Sequence, residues 1–101
     1  MVFYNVTCNL DESIANEWIT WMKTEHLPEV MSTRLFESFR FCKLVTEADD
    51  NEGLNFSIQY KLLNMANFEQ YKNEFAPAMR NKTLQKWGEK VLSFRSIMEE
   101  I

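Results

Sequence analysis

Apolar and polar positions alternate at the start of the chain: Val2, Tyr4, Val6, Cys8 and Leu10 fall on one side and Asn5, Thr7 and Asn9 on the other. That is the period of a half-buried strand. The run "NLDES" follows, offering Asn9 or Asp11 as an N-cap and acidic side chains that suit the positive end of a helix. At about 100° per residue, Ile14, Ala15, Trp18, Ile19, Trp21 and Met22 share one arc, and Ser13, Asn16, Glu17, Thr20, Lys23 and Thr24 lie outside it. An amphipathic helix is therefore expected. Pro28 pushes Leu27 away from helical geometry, so the helix should end or kink there, with "PEVMST" as a turn or partial helical turn.

Residues 36–46 read as a second strand in which neither face is wholly polar, because Phe39, Phe41 and Val45 oppose Ser38, Arg40, Cys42 and Leu44. The stretch "TEADDNEG" turns the chain, with Gly53 free to take a positive φ. Leu54, Phe56, Ile58, Tyr60 and Leu62 then alternate with Asn55, Ser57, Gln59 and Lys61, the clearest strand pattern in the chain. Helical spacing returns over residues 65–75 and resumes after Pro77 as far as Trp87, which predicts two helical pieces with a kink near Ala76. Gly88 suits a C-terminal cap, and "KVLSFRSIMEE" alternates as a last strand.

The order β-α-β-β-α-β over residues 1–101 predicts a single α+β domain of ferredoxin-like arrangement, a four-stranded antiparallel sheet with two helices on one face. Nothing remains to cover the other face. Val45, Phe39 or Phe41, and Phe3, Leu92 or Phe94 cannot all lie under two helices, so a homodimer closing sheet against sheet is the economical expectation.

Composition narrows the partners. Hydrophobic residues make up 46% and charged residues 26%, with two glycines and two prolines, a balance that belongs to folded rather than disordered chains. A formal net charge of -4 gives no basic excess to attract nucleic acid or an anionic membrane. RNA binding through the sheet is disfavoured further because "LNFSIQYKL" lacks the basic, glycine-rich signature of such modules. "MVFYNVTCNL" has neither a signal-peptide pattern nor a membrane span, so a cytoplasmic location is expected. Cys8 and Cys42 show no metal or redox spacing and are expected to be reduced and buried; no metal and no cofactor is implied. The acidic run over residues 47–52 lacks the regular spacing of a calcium loop.

Several strings carry a resemblance. "YNVT" at 4–7, "DESI" at 11–14, "EW..WM" at 17–22, "EH.P.V" at 25–30, "S.QY" at 57–60 and "FR" at 94–95 resemble, in order and spacing, a family of short bacterial proteins catalogued as a domain of unknown function. That family resembles members of the dimeric α+β barrel superfamily, which includes antibiotic-biosynthesis and haem-degrading monooxygenases and stress-responsive barrel proteins. The resemblance implies a fold, a dimer and a reactive region between sheet and helices. In the haem-degrading branch a tryptophan on the second long helix precedes the iron-binding histidine by about ten residues. The corresponding positions here are Tyr71 and the region of Arg80 and Asn81, which supply no imidazole for iron, so haem degradation is disfavoured although Asn5 matches.

His26, the only histidine, and Glu25 fall within the apolar arc near the end of the first helix. Their structural explanation is hydrogen bonding and charge complementarity at a helix C-terminus. Their functional explanation makes His26 a catalytic acid, base or ligand-orienting donor, with Trp21, Glu25, Tyr60 and Tyr71 as ligand-binding neighbours. Trp18, at the middle of the arc, belongs to the core. Arg40, Arg80 and Arg95 could gather around an anion, with Arg95 and Lys61 as an inward-facing pair, or could serve cross-strand and interface ion pairs.

Two readings follow. One is a homodimeric barrel that binds an apolar or aromatic small molecule between sheet and helices, compatible with cofactor-independent monooxygenase- or isomerase-like chemistry. The other is a non-catalytic homodimeric interaction or assembly module.

Overall fold

The computed structural model describes residues 1–45 and 53–101. Strand β1 (Val2–Leu10) leads into α1 (Glu12–Trp21), a π turn (Met22–His26) and the short helix α2 (Leu27–Met31). Strands β2 (Ser38–Lys43) and β3 (Leu54–Leu62) follow, then α3 (Met65–Glu74), α4 (Ala76–Trp87) and β4 (Val91–Glu99). The sheet has the order β2-β3-β1-β4 with every neighbour antiparallel, which is the ferredoxin-like arrangement. No helix among the described residues is long and apolar enough to cross a membrane.

Local chemistry explains the boundaries. Asp11 accepts a hydrogen bond from the Ser13 backbone N–H at 2.8 Å and so caps α1. The contacts with Ser13 also hold the Asp11 carboxyl below the usual carboxylate range. Asn64 caps α3 in the same way, accepting from the Asn67 N–H at 2.9 Å. Phe75 breaks the second helical stretch, and Pro77 sits in the first turn of α4, where its missing N–H leaves no helix acceptor unfilled. Gly88 closes α4 at φ 59°, as its position after the last periodic residue predicts.

One boundary differs from the sequence pattern. The second strand is shorter than residues 36–46, because Phe36 precedes it and turns into the core against Tyr60 and Tyr71, while Val45 lies beyond it and is exposed. At Pro28 the chain continues as a short further helical turn, one of the outcomes its sequence allows. The Leu27 N–H donates to the Met22 carbonyl five residues back, and this wider turn lets Pro28 enter at the start of a further α-helical turn. The acidic turn expected at residues 46–52 lies outside the described residues.

Gly53 is described, and it shows how tightly β3 begins. Its φ is +86°, and a Cβ there would lie 2.5 Å from the Leu10 carbonyl oxygen on β1. Gly53→Ala is expected to lower stability by about 2 kcal/mol through backbone strain together with this contact. Urea unfolding of the variant would show it, and an unchanged midpoint would mean that β3 can start in another conformation.

The registers assign each strand residue to a face. Val2, Tyr4, Cys8 and Leu10 on β1 and Phe56, Ile58, Tyr60 and Leu62 on β3 point under the helices, where they meet Trp18, Leu27 and Val30. The other face carries Asn5, Ser57, Gln59, Lys61 and Arg40, and on β4 Leu92, Phe94 and Met98, which are 55%, 69% and 45% exposed. Cys42 belongs to this open face and is exposed, contrary to the expectation that both cysteines are buried. The error arose because β2 alternates between two faces that are both partly apolar.

Candidate functional site

The π turn decides what the end of the first helical stretch presents. A straight α-helix would put Glu25 close to the line of Trp18 and leave His26 further round. A π turn holds more residues than an α turn, so each later residue lags around the axis. Glu25 is thereby carried to the surface, and His26 takes the inward place half-buried among its neighbours. Its imidazole stacks on Trp21 with ring centroids 5.1 Å apart and planes at 23°, and Trp21 in turn meets Trp87 edge-on at 5.9 Å.

His26 lines a cavity between the sheet and the helices. The inner chamber, about 60 Å³, is bounded by Trp18 and Met22 of the first helical stretch, Tyr4, Cys8, Ile58 and Tyr60 of the sheet, and Tyr71, Met79 and Arg80 of α3 and α4. An outer chamber of about 210 Å³ shares Tyr4, Tyr71, Ala76, Arg80 and Arg95 with it and adds Phe68, Lys72 and Ile97. The wall between them is aromatic. Tyr4 stacks on Tyr60 at 5.8 Å and meets Phe68 and Tyr71 at 5.2 and 6.1 Å, and Phe36 packs edge-on against Tyr71 at 4.7 Å.

Burial sets the protonation of these groups. Desolvation pushes the His26 pKa down to about 4; Arg95 acts in the same direction and Glu29 opposes it, so the imidazole is neutral at pH 7. Desolvation raises the Tyr60 and Tyr71 phenols above their ordinary range, and both stay protonated. Burial also raises the Cys8 thiol, which lies 3.5 Å from the Ser93 hydroxyl. Cys8 is thus a neutral wall group, not an activated thiolate. Among the described residues, no group of three or more His, Cys, Asp or Glu side chains gathers as a metal site requires.

Comparison with known proteins gives the family and the fold. The sequence profile described as Domain of unknown function (DUF4286) matches residues 1–101. This chain belongs to the DUF4286 family. No curated protein matches it in sequence. Among solved structures it is similar to HapK from Hahella chejuensis, with TM-score 0.72 and 12% identity over 100% of this chain and 93% of that one. It is also similar to an EthD family protein from Bacillus halodurans, with TM-score 0.69 and 11% identity over the whole of both chains. A dimeric ferredoxin-like protein from an uncultured marine organism matches with TM-score 0.64 and 14% identity over 99% of this chain and 97% of that one. At these identities the likeness establishes the ferredoxin-like fold.

In the DUF4286 chain the residues singled out from sequence divide between cavity and surface. His26, Tyr60 and Tyr71 come together at one cavity. Trp21 and Glu25 do not line that cavity; they border a surface groove that His26 also reaches, together with Glu29 and Lys82. The inward-facing pair of Arg95 and Lys61 does not exist. Arg95 lies opposite Val6 on the helix side, whereas Lys61 lies opposite Phe3 on the open face. Arg40 also points away, leaving Arg80 and Arg95 at the cavity. Tyr4 and Met79 escaped attention as site residues, although Tyr4 occupies the same alternating positions of β1 as the core residues Val2 and Cys8.

Proposed function

We propose that this DUF4286 protein forms a homodimer through its open sheet face and binds an apolar or aromatic small molecule in the cavity between sheet and helices. One observation carries the binding reading. Tyr60 and Tyr71 are only 3% and 5% exposed and line the cavity, yet their hydroxyls make no hydrogen bond among the described residues, and neither does His26. Polar groups that face a cavity without a partner among the described residues are free to hydrogen-bond whatever occupies it, so these three around one aromatic space suit a bound molecule that carries hydrogen-bonding atoms. His26, neutral and facing that space, is the group proposed to accept a hydrogen bond or a proton from it. The dimer reading rests on Leu92, Phe94 and Met98, which form an apolar stripe along β4. Assembly without a ligand is the competing reading, and the same stripe favours it.

Native mass spectrometry of freshly purified protein separates these. A dimer carrying additional small-molecule mass that is lost in His26→Ala is the expected result, and a dimer with a vacant cavity under all conditions would favour assembly alone. Phe94→Asp is expected to halve the assembly mass while leaving the fold intact, since the side chain is 69% exposed in the single chain. A wild-type monomer at micromolar concentration would overturn the dimer.

A further inference from the structure

The cavity wall is charged in one sense only. Arg80 and Arg95 border both chambers and Lys72 borders the outer one, while no Asp or Glu lines either. This is the reverse of the chain as a whole, which has 15 acidic and 11 basic residues. Neither arginine forms an ion pair among the described residues; Glu29, whose charge acts on Tyr71, is engaged by Lys82. Both guanidinium groups act electrostatically on Tyr71, which lines both chambers together with them.

Unpaired arginines beside an aromatic wall answer a particular ligand chemistry. A guanidinium offers a planar fork of donors matched to a carboxylate, and its charge strengthens each hydrogen bond. The rings of Tyr4, Tyr71 and Phe68 offer apolar faces next to that fork. His26, at the inner chamber, adds no further positive charge to that of the two arginines at neutral pH.

We propose that the cavity selects small aromatic carboxylates, with the carboxylate between Arg80 and Arg95 and the ring against Tyr4 and Tyr71; this rests on the binding reading above. Arg80 and Arg95 are then specificity residues, and an uncharged analogue of the same shape should bind more weakly. The acidic surface elsewhere makes the selection local and not a consequence of net charge.

The test uses 3-phenylpropanoate and its uncharged counterpart 3-phenylpropanamide as probes, titrated into the ¹⁵N-labelled full chain. Binding is read from the indole N–H signal of Trp18, which lines the inner chamber, with Trp87, which lines neither, as the internal reference. The carboxylate is expected to bind about tenfold more tightly than the amide at low salt. That preference should shrink in Arg80→Gln and in Arg95→Gln and vanish in the double variant, which should still bind the amide. Both side chains are exposed at the cavity rim, so these variants leave the core undisturbed. Equal affinities of the wild type for the two probes would overturn the carboxylate selection and leave the cavity reading standing. A preference that survives in the double variant would overturn the assignment to these arginines. A Trp18 signal unmoved by either probe would overturn both this inference and the binding reading.

Discussion

Trp18→Ala is expected to destabilise the protein by about 3–5 kcal/mol, a large share of the roughly 5–15 kcal/mol that holds a domain together. Trp18 is 1% exposed at the centre of the helix-sheet contact, where its ring meets Phe56 at 5.0 Å and Phe41 edge-on at 5.5 Å. Truncation removes apolar burial from water and leaves a void that the paired strands on one side and the helix backbone on the other cannot fill by collapse. Chemical denaturation followed by circular dichroism measures the loss. Leu84→Ala, at a side chain 61% exposed, is the control and should change stability by no more than about 0.5 kcal/mol. A Trp18→Ala loss below about 1 kcal/mol would contradict the packing described. Because Trp18 also lines the cavity, loss of ligand binding in this variant would report on folding as much as on recognition.

Acid should weaken the fold through His26. The unfolded chain takes up a proton near the ordinary histidine value of 6.5, whereas the folded imidazole resists protonation until about pH 4. A depressed folded pKa contributes stability that is fully present above 6.5 and is lost as the pH falls through the interval down to about 4. Between pH 7 and pH 4.5 this histidine should account for a loss of about 2–3 kcal/mol. Carboxylates titrate in the lower part of the same interval, so the informative quantity is the difference between the wild type and His26→Gln, each unfolded in urea at both pH values. The wild type should lose more stability than the variant on acidification. Parallel losses would show that His26 is solvated in the folded protein, and with that the neutral-imidazole reading of the cavity would fall.

Most of the fold was legible because its strands are half-buried. Where one face meets helices and the other does not, as in β1 and β3, alternation in sequence translates directly into alternation in space. The caps at Asp11 and Gly88 were legible for local reasons, a side-chain acceptor and a residue that tolerates positive φ. What escaped was set by partners far away in sequence. Arg95 and Lys61 both sit in alternating strands, but only the pairings of Val6 with Arg95 and of Phe3 with Lys61 reveal that they occupy opposite faces. Cys42 escaped for the same reason. At the site, His26, Tyr60 and Tyr71 were recognisable as polar or amphipathic groups at apolar positions. That His26 and not Glu25 reaches the inner cavity was not, because a helical wheel assumes one fixed advance per residue and the π turn breaks that assumption.

That turn also bears on how the length of this segment can vary. An α-helix running through residues 22–26 with one residue fewer would present the same two faces, Glu25 outward and His26 inward, since the π turn absorbs about one residue position. An insertion or deletion within α1 would instead rotate all that follows by about 100° and take His26 out of the cavity. Residues 22–26 are therefore the place in this helical stretch where chain length and site geometry are uncoupled.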